Sequence, residues 1–468
     1  MKAKVSKTYL VFIAVLTAIA ATVALTSCQK GGESSSQRTT AAASAATQDE
    51  AAAATLPEGS GSAKLTESDI TVNETIENAE DGGHAIVADG ETLSYANVRV
   101  NKTGEADGDE ADFYGENAAV YAANGGTLTL KDMVVKTDGT HANAVFSYGE
   151  GTTVNIANAY IETSGNCSGG LMTTGGGTMN AENLTINTSG NSSAAIRSDR
   201  GGGTVNVTGG NYTTSGTGSP VIYSTADITV SDATMTSTAS QGVVVEGKNA
   251  VTLNNVNLTA DNNKKNSDKS SWYQAVMIYQ SMSGDAAEGA SRFAMNGGTL
   301  TNQNGDVFFI NNTATEITLN NAQITNNGNG VFLRAAAAGW GSAGSNGGQV
   351  TLNASNQIIN GDMIVDSVSH LNLYLSNNAS FTGAINSSGQ DGEVYVEIED
   401  GSIWTLTGDS YITGMTCGAN AINLNGHKLF IDGTSYTEGS ASFGDPIAVQ
   451  STGNGHGGGN PPAKPEND

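Results

Sequence analysis

The chain has 468 residues, 60 of them glycine and only 6 proline, with 14% charged residues and a formal net charge of −26. Abundant glycine with scarce proline gives plentiful turns between strands that are rarely interrupted. A balance this acidic excludes a nucleic-acid or anionic-membrane surface, because gripping phosphates needs clustered Lys and Arg; it is compatible with calcium or with uncharged sugars.

Lys2, Lys4 and Lys7 precede an apolar stretch from Tyr9 to Leu25, the order of an export signal. The stretch ends Leu25-Thr26-Ser27-Cys28. It resembles a bacterial lipoprotein signal, in which small residues precede a cysteine whose thiol takes a diacylglycerol. The resemblance implies that residues 1–28 are signal and lipobox. Cys28 would then anchor an extracytoplasmic, cell-surface protein to a bacterial membrane by lipid; an ordinary secretory signal or a membrane anchor is the alternative. Residues 29–62 are Ser, Thr, Ala, Gln and Gly-rich, unable to bury a core, and are expected to be a flexible tether. Beyond Cys28 only Cys167 and Cys417 occur. They fall about ten coils apart, and rungs rise about 4.8 Å each, so no disulfide is expected.

From residue 63 a template recurs. Leu128-Thr-Leu130-Lys-Asp132 becomes Val154-Asn-Ile156-Ala-Asn158, then Met179-Asn-Ala181-Glu-Asn183, Val205-Asn-Val207-Thr-Gly209 and Ile228-Thr-Val230-Ser-Asp232, at intervals of 23 to 26 residues. Alternation of period two reads as strand, and Asn, Asp and Gly supply the turns. A period of this size means stacked repeats. No crossover helix fits, so successive strands stack in register as a right-handed parallel β-helix of roughly a dozen coils, all-β, over residues 63–433. The fifth template position (Asn97, Asp132, Asn158, Asn183, Asp232, Asn255, Asn321) is expected to form an internal hydrogen-bonded ladder. Insertions lengthen the coils at 101–117, 260–274, 281–290 and 335–348, and insertions in solenoids become loops, often on a binding face. Residues 421–424 and 428–431, joined through Asn425-Gly426, are expected to pair and close the stack. Residues 434–468, rich in Gly, Pro and Ser, are expected to be disordered.

A second apolar signature follows each template strand. Its outward column is read as Tyr121, Phe146, Met172, Arg197, Ile222, Val244, Met277, Phe308 and Phe332, because a lone arginine would not enter so thin a core. Two residues on, Tyr148, Asp199, Glu246, Tyr279 and Arg334 face the same way. This strip has two readings. In one it is an exposed groove for polysaccharide or a host or cell-surface glycan, with aromatic faces stacking on sugar rings and Trp272, Tyr273 and Trp340 flanking it from insertions. In the other, insertion loops or the segment 67–90 fold over it as an outer core. Glu105, Asp107, Asp109 and Asp112 offer carboxylate oxygens to calcium on one loop, without an EF-hand spacing; a solvated acidic loop is the plainer reading, and no other cofactor is expected. The five histidines are isolated and no nucleophile elbow appears. An enzyme is therefore the lesser expectation.

The regular alternators Leu371-Asn-Leu373-Tyr-Leu375 and Val394-Tyr-Val396-Glu-Ile398 resemble the C-terminal coils of autotransporter-like adhesin passengers. The lipobox, the tether and the Thr/Asn/Gly-rich coils resemble clostridial cell-surface β-helix proteins, which include polygalacturonate-binding, calcium-containing members. That resemblance implies a non-catalytic carbohydrate-binding or adhesin-like lipoprotein. A polysaccharide lyase or glycoside hydrolase acting on pectin-like polymers, or a structural surface spacer, are the alternatives.

Overall fold

The computed structural model describes residues 64–449 except 282 and 390. The signal, Cys28 and the tether lie outside the described residues. No helix among the described residues is long and apolar enough to cross a membrane.

The chain is a parallel β-helix. Up to about residue 335 each coil gives two strands to a 20-stranded sheet and one to an 11-stranded sheet; the later coils give one strand to the large sheet and one to a separate 4-stranded sheet. In the early coils the two strands of the large sheet run on as one, as in Thr127–Thr137, Thr153–Thr163 and Gly177–Thr188. Pairing between coils is parallel, with the template positions in register: Leu93, Leu128, Val154, Met179, Val205, Ile228, Val251, Phe293 and Ile317 form one column. The next member is Leu352 rather than Val350, a shift of two that keeps the same face inward.

The fifth template position explains the bend between the two strands. Asn97, Asp132, Asn158, Asn183, Asp232, Asn255 and Asn321 all have φ between 52° and 60°, and Gly209 occupies the same place at 68°. Asn and Asp tolerate this left-handed region better than other side chains. The expected ladder forms as well: Asn183 Nδ2 donates to Asn158 Oδ1 at 2.8 Å, and Asn255 Nδ2 to Asp232 Oδ1 at 2.7 Å.

Inside, one continuous apolar core runs the length of the solenoid. Phe293, Phe308 and Phe332 pack in series within it, their ring centroids 5.6 and 5.5 Å apart. This corrects the reading of Phe308 and Phe332 as outward. Phe308 aligns with Val276 and Leu333 on the inner face, and Ile196 aligns with Ile222. The true outward column runs Arg197, Tyr223, Val244, Met277, Phe309, Arg334. A one-residue slip flips every side chain to the other face. At Phe332 a register irregularity between Val331 and Leu333 adds a second shift.

At the C-terminal end, Ile422–Asn423 and Leu429–Ile431 do not pair with each other. Each extends a different small sheet, the first beside Trp404 and Thr405, the second beside Ser410–Ile412. Asn425 and Gly426, both at positive φ, make a corner between sheets rather than a hairpin. Residues 434–449 are held in place, which corrects the expectation of disorder from 434 onward. Ser442 bridges Cys417, and Asn372 exchanges two 2.9 Å hydrogen bonds with the backbone of Ile447.

Candidate ligand-binding site

From Val120 onward most of the 11-stranded sheet is buried on both faces, and the insertions cover its outer side; on its first strand, Ile86–Asp89, Val87 stays exposed. Residues 104–117 carry a short helix, Asp109–Phe113, over Tyr121, Phe146 and Met172. Thr174 Oγ1 donates to the Phe113 carbonyl at 2.7 Å, His84 stacks on Tyr121 at 4.6 Å, and Tyr114 meets Tyr148 edge-on at 5.6 Å. Gly115 (φ 84°) passes so close that a Cβ there would lie 2.6 Å from Tyr121 Cε2. Further along, Trp272, Ala336, Ala338 and Trp340 cover Tyr223, Val244, Met277, Tyr279 and Phe309. The strip is therefore an outer core, the covering one of the two readings, and not an open groove. Tyr121, Phe146, Arg197, Asp199, Glu246 and Tyr279 are buried and offer nothing to a polymer lying along the sheet.

Between the two outer cores lies a buried polar layer. Arg197 Nη2 donates to Asp199 Oδ2 at 2.7 Å. Arg200 lies over Phe113 at 3.5 Å and reaches two insertions at once, with Nε on Asp285 at 2.9 Å and Nη1 on Asp109 at 3.2 Å. Glu246 Oε2 accepts from the hydroxyls of Tyr223 and Tyr279. Burial pushes the Glu246 carboxyl up to about 7, against the pull of those hydroxyls. Burial likewise pushes Asp199 up to about 6, with Arg197 drawing it back.

The four carboxylates considered for calcium do not converge. Glu105 and Asp107 are exposed, Asp109 pairs with Arg200, and Asp112 accepts from His141 Nε2 at 2.9 Å. His141 Nδ1 donates to the Ala106 carbonyl at 2.9 Å. Burial opposes protonation of this imidazole, but Asp112 and the carbonyl outweigh it and its pKa is raised. Among the described residues, the group with metal-ligand spacing is Asp112, His141 and Cys167, within 4.8 Å of one another and buried. Cys167 is disulfide-bonded, while Cys417 is free. This overturns the expectation of no disulfide, which rests on the distance between Cys167 and Cys417; those two are not joined.

The covering loops leave one aromatic pocket of about 30 Å³. Trp272, Tyr273 and Trp340 line it, together with Gln241, Asn262, Lys264, Lys265, Asn266 and Gln274. All three flanking aromatics expected from the insertions thus meet in one place. Trp272 is held between Phe309, at 5.4 Å, and the Arg334 guanidinium, at 4.7 Å. Arg334 is in turn fixed by two hydrogen bonds to Asp306, at 2.6 and 3.2 Å. Trp340 meets Tyr279 edge-on at 5.1 Å. The two loops forming the walls are braced: Gly339 N donates to Lys269 O at 2.7 Å, and a Cβ on Gly339 would lie 2.8 Å from Lys269 Cα.

The pocket's polar groups are not all used. Trp340 and Gln274 are 3% and 2% exposed, yet Trp340 Nε1 and Gln274 Oε1 have no hydrogen-bond partner, nor has Asn266 Nδ2. Buried polar atoms are nearly always paired, so two donors and an acceptor left unpaired beside a pocket are groups a ligand would satisfy. Lys264, Lys265, Asn266 and Gln274 occupy no repeat position of the template strand. Their one signal is local: three of the 20 Lys and Arg residues of the chain fall between 264 and 269.

No protein-family model and no curated protein matches the chain. Among solved structures, a chain in the cryo-EM structure of the Vag8–C1 inhibitor complex is similar to it over 75% of this chain and 80% of that chain, at 15% identity and a TM-score of 0.51. At that identity the likeness concerns the fold, a long parallel β-helix.

Proposed function

We propose that this chain is a non-catalytic, adhesin-like binding module of the bacterial cell surface that recognises a glycan at the Trp272–Tyr273–Trp340 pocket. The export signal of residues 1–28 would deliver it there, with residues 29–62 as the spacer. The observation that carries the reading is the pocket itself: three aromatic rings on braced loops around open hydrogen-bonding atoms, the combination that suits a sugar's apolar face and its hydroxyls. The sealed carboxylates Asp199 and Glu246 support a non-catalytic role, since neither reaches solvent. The β-helix of similar fold belongs to a complex between proteins, that of Vag8 with C1 inhibitor, which supports a holding role for such solenoids.

The test is a glycan array on the mature chain, with and without chelator, alongside Trp272→Ala. Retention that Trp272→Ala abolishes, with no release of reducing ends or unsaturated uronates, is expected. Product release from a pectin-like polymer would instead make the chain an enzyme. A partner of the wild type that Trp272→Ala holds equally well would move the site elsewhere.

A further inference from the structure

Resting on the reading of the Trp272–Tyr273–Trp340 pocket as a glycan site, we infer that the pocket takes a single acidic group, a carboxylate or sulfate on a terminal sugar, and so reads its glycan end-on rather than along a polymer. Three observations carry this.

The first is size. A space of about 30 Å³ has room for one or two water-sized groups. It admits one substituent of a sugar, with the ring resting outside against Trp272 and Tyr273, which are only half-buried. Among the described residues the sheet's outer face is covered on either side of the pocket, by the cluster around Tyr121 and Phe146 and by that around Val244 and Phe309, which disfavours a polymer lying along it.

The second is the sign of the polar atoms. Trp340 Nε1 and Asn266 Nδ2 are both N–H donors without acceptors. Two open donors at one small pocket suit an oxyanion, which accepts through several lone pairs. Gln274 Oε1 is left for a neighbouring sugar hydroxyl.

The third is charge. In a chain with 46 acidic and 20 basic residues, Lys264 and Lys265 line the pocket and neither has an ion-pair partner among the described residues. Asp261 and Asp268 lie within four residues of them and do not pair with them. Lys265 instead lies over the Tyr273 ring at 5.8 Å, and Lys269 lies over Trp340 at 5.9 Å. Each cation is thus placed at an aromatic wall of the pocket, where an entering anion would meet it. The chain's net charge of −26 disfavours anions in general, so local cations such as these are what would hold one.

The experiment is an array of matched glycans on the full mature chain. The sets are neutral oligosaccharides, the same chains ending in a sugar carboxylate, the same ending in a sugar sulfate, and chains whose acids are internal and whose outer end is a neutral sugar. The variants are Trp272→Ala and the exposed pair Lys264→Ala with Lys265→Ala, which leaves the aromatic walls in place. Binding confined to the terminal-acid sets is expected, weakened about tenfold or more by the lysine pair and further by added salt. The carboxylate and sulfate sets tell which acid is the source. Equal binding of neutral or internal-acid chains, lost in Trp272→Ala, overturns this inference and leaves the glycan site standing. Binding that survives Trp272→Ala, or no binding by any set, overturns both.

Discussion

Glu246 gives the most quantitative handle on the covered face. Its carboxyl is fully buried, with a pKa of about 7 against an ordinary 4.5, burial being the main cause. A raised folded-state value means that the folded protein holds a proton that the unfolded chain releases. The stabilisation is fully present below about pH 4.5 and is lost as pH rises through about 7. The gap between 4.5 and about 7 corresponds to about 3 kcal/mol, at 1.36 kcal/mol per pH unit. Glu246→Gln mimics the neutral acid in shape and keeps an acceptor for Tyr223 and Tyr279. Urea unfolding followed by far-UV circular dichroism at pH 4.5 and pH 8 is the assay. Wild type and Glu246→Gln should agree at pH 4.5, and the variant should be the more stable by about 3 kcal/mol at pH 8. Asp199 and His141 also have raised values and push wild-type stability the same way, but they act equally in both proteins and cancel in the comparison. If the two proteins lose stability in parallel across this range, Glu246 is not held neutral and the outer core is not sealed.

Other consequences follow from the same packing. Phe308→Ala removes a ring held between Phe293 and Phe332 and should cost roughly 3–5 kcal/mol in the same unfolding assay; an unchanged midpoint would put Phe308 back on the outside. Arg200→Ala cuts the tie to both Asp109 and Asp285, so hydrogen exchange should quicken in 104–117 and 281–290 together, whereas a change in one segment alone would contradict a shared clasp. Asn183→Gly keeps the left-handed turn and deletes an amide rung, at a cost of about 1 kcal/mol. Asn183→Val loses both and should be clearly worse, and equal effects of the two would mean that the φ of 52° carries no strain.

The solenoid was legible because its first strands alternate. Leu128-Thr-Leu130 and its successors declare an inside and an outside, and the αL Asn and Asp positions mark each bend. The second sheet gives no such statement. Val221-Ile222-Tyr223, Val307-Phe308-Phe309 and Val331-Phe332-Leu333 are apolar throughout because both faces of those strands are covered, and a strand buried on both sides loses its alternation. Register then cannot be read from the run itself, which is why Phe308 and Phe332 were placed one face over. Arg197 misled for a related reason. A buried arginine is tolerated when paired, and its partner Asp199 stands two residues on, on the same face, where the spacing could have been noticed. The three aromatics of the pocket were visible as tryptophan and tyrosine in insertions. Its donors and lysines were not, because they meet only when two loops separated by some 70 residues close on each other, and no periodicity runs through them.

Where a ligand lands decides the function most directly. Two of the three tryptophans, Trp272 and Trp340, are walls of the pocket, and the third, Trp404, is buried in the interior. Intrinsic fluorescence should therefore change saturably when a glycan retained on the array is titrated in, and Trp272→Ala should abolish both the change and the retention. Tight retention of that glycan with no change in fluorescence, by wild type and Trp272→Ala alike, would place recognition away from this pocket and contradict the account.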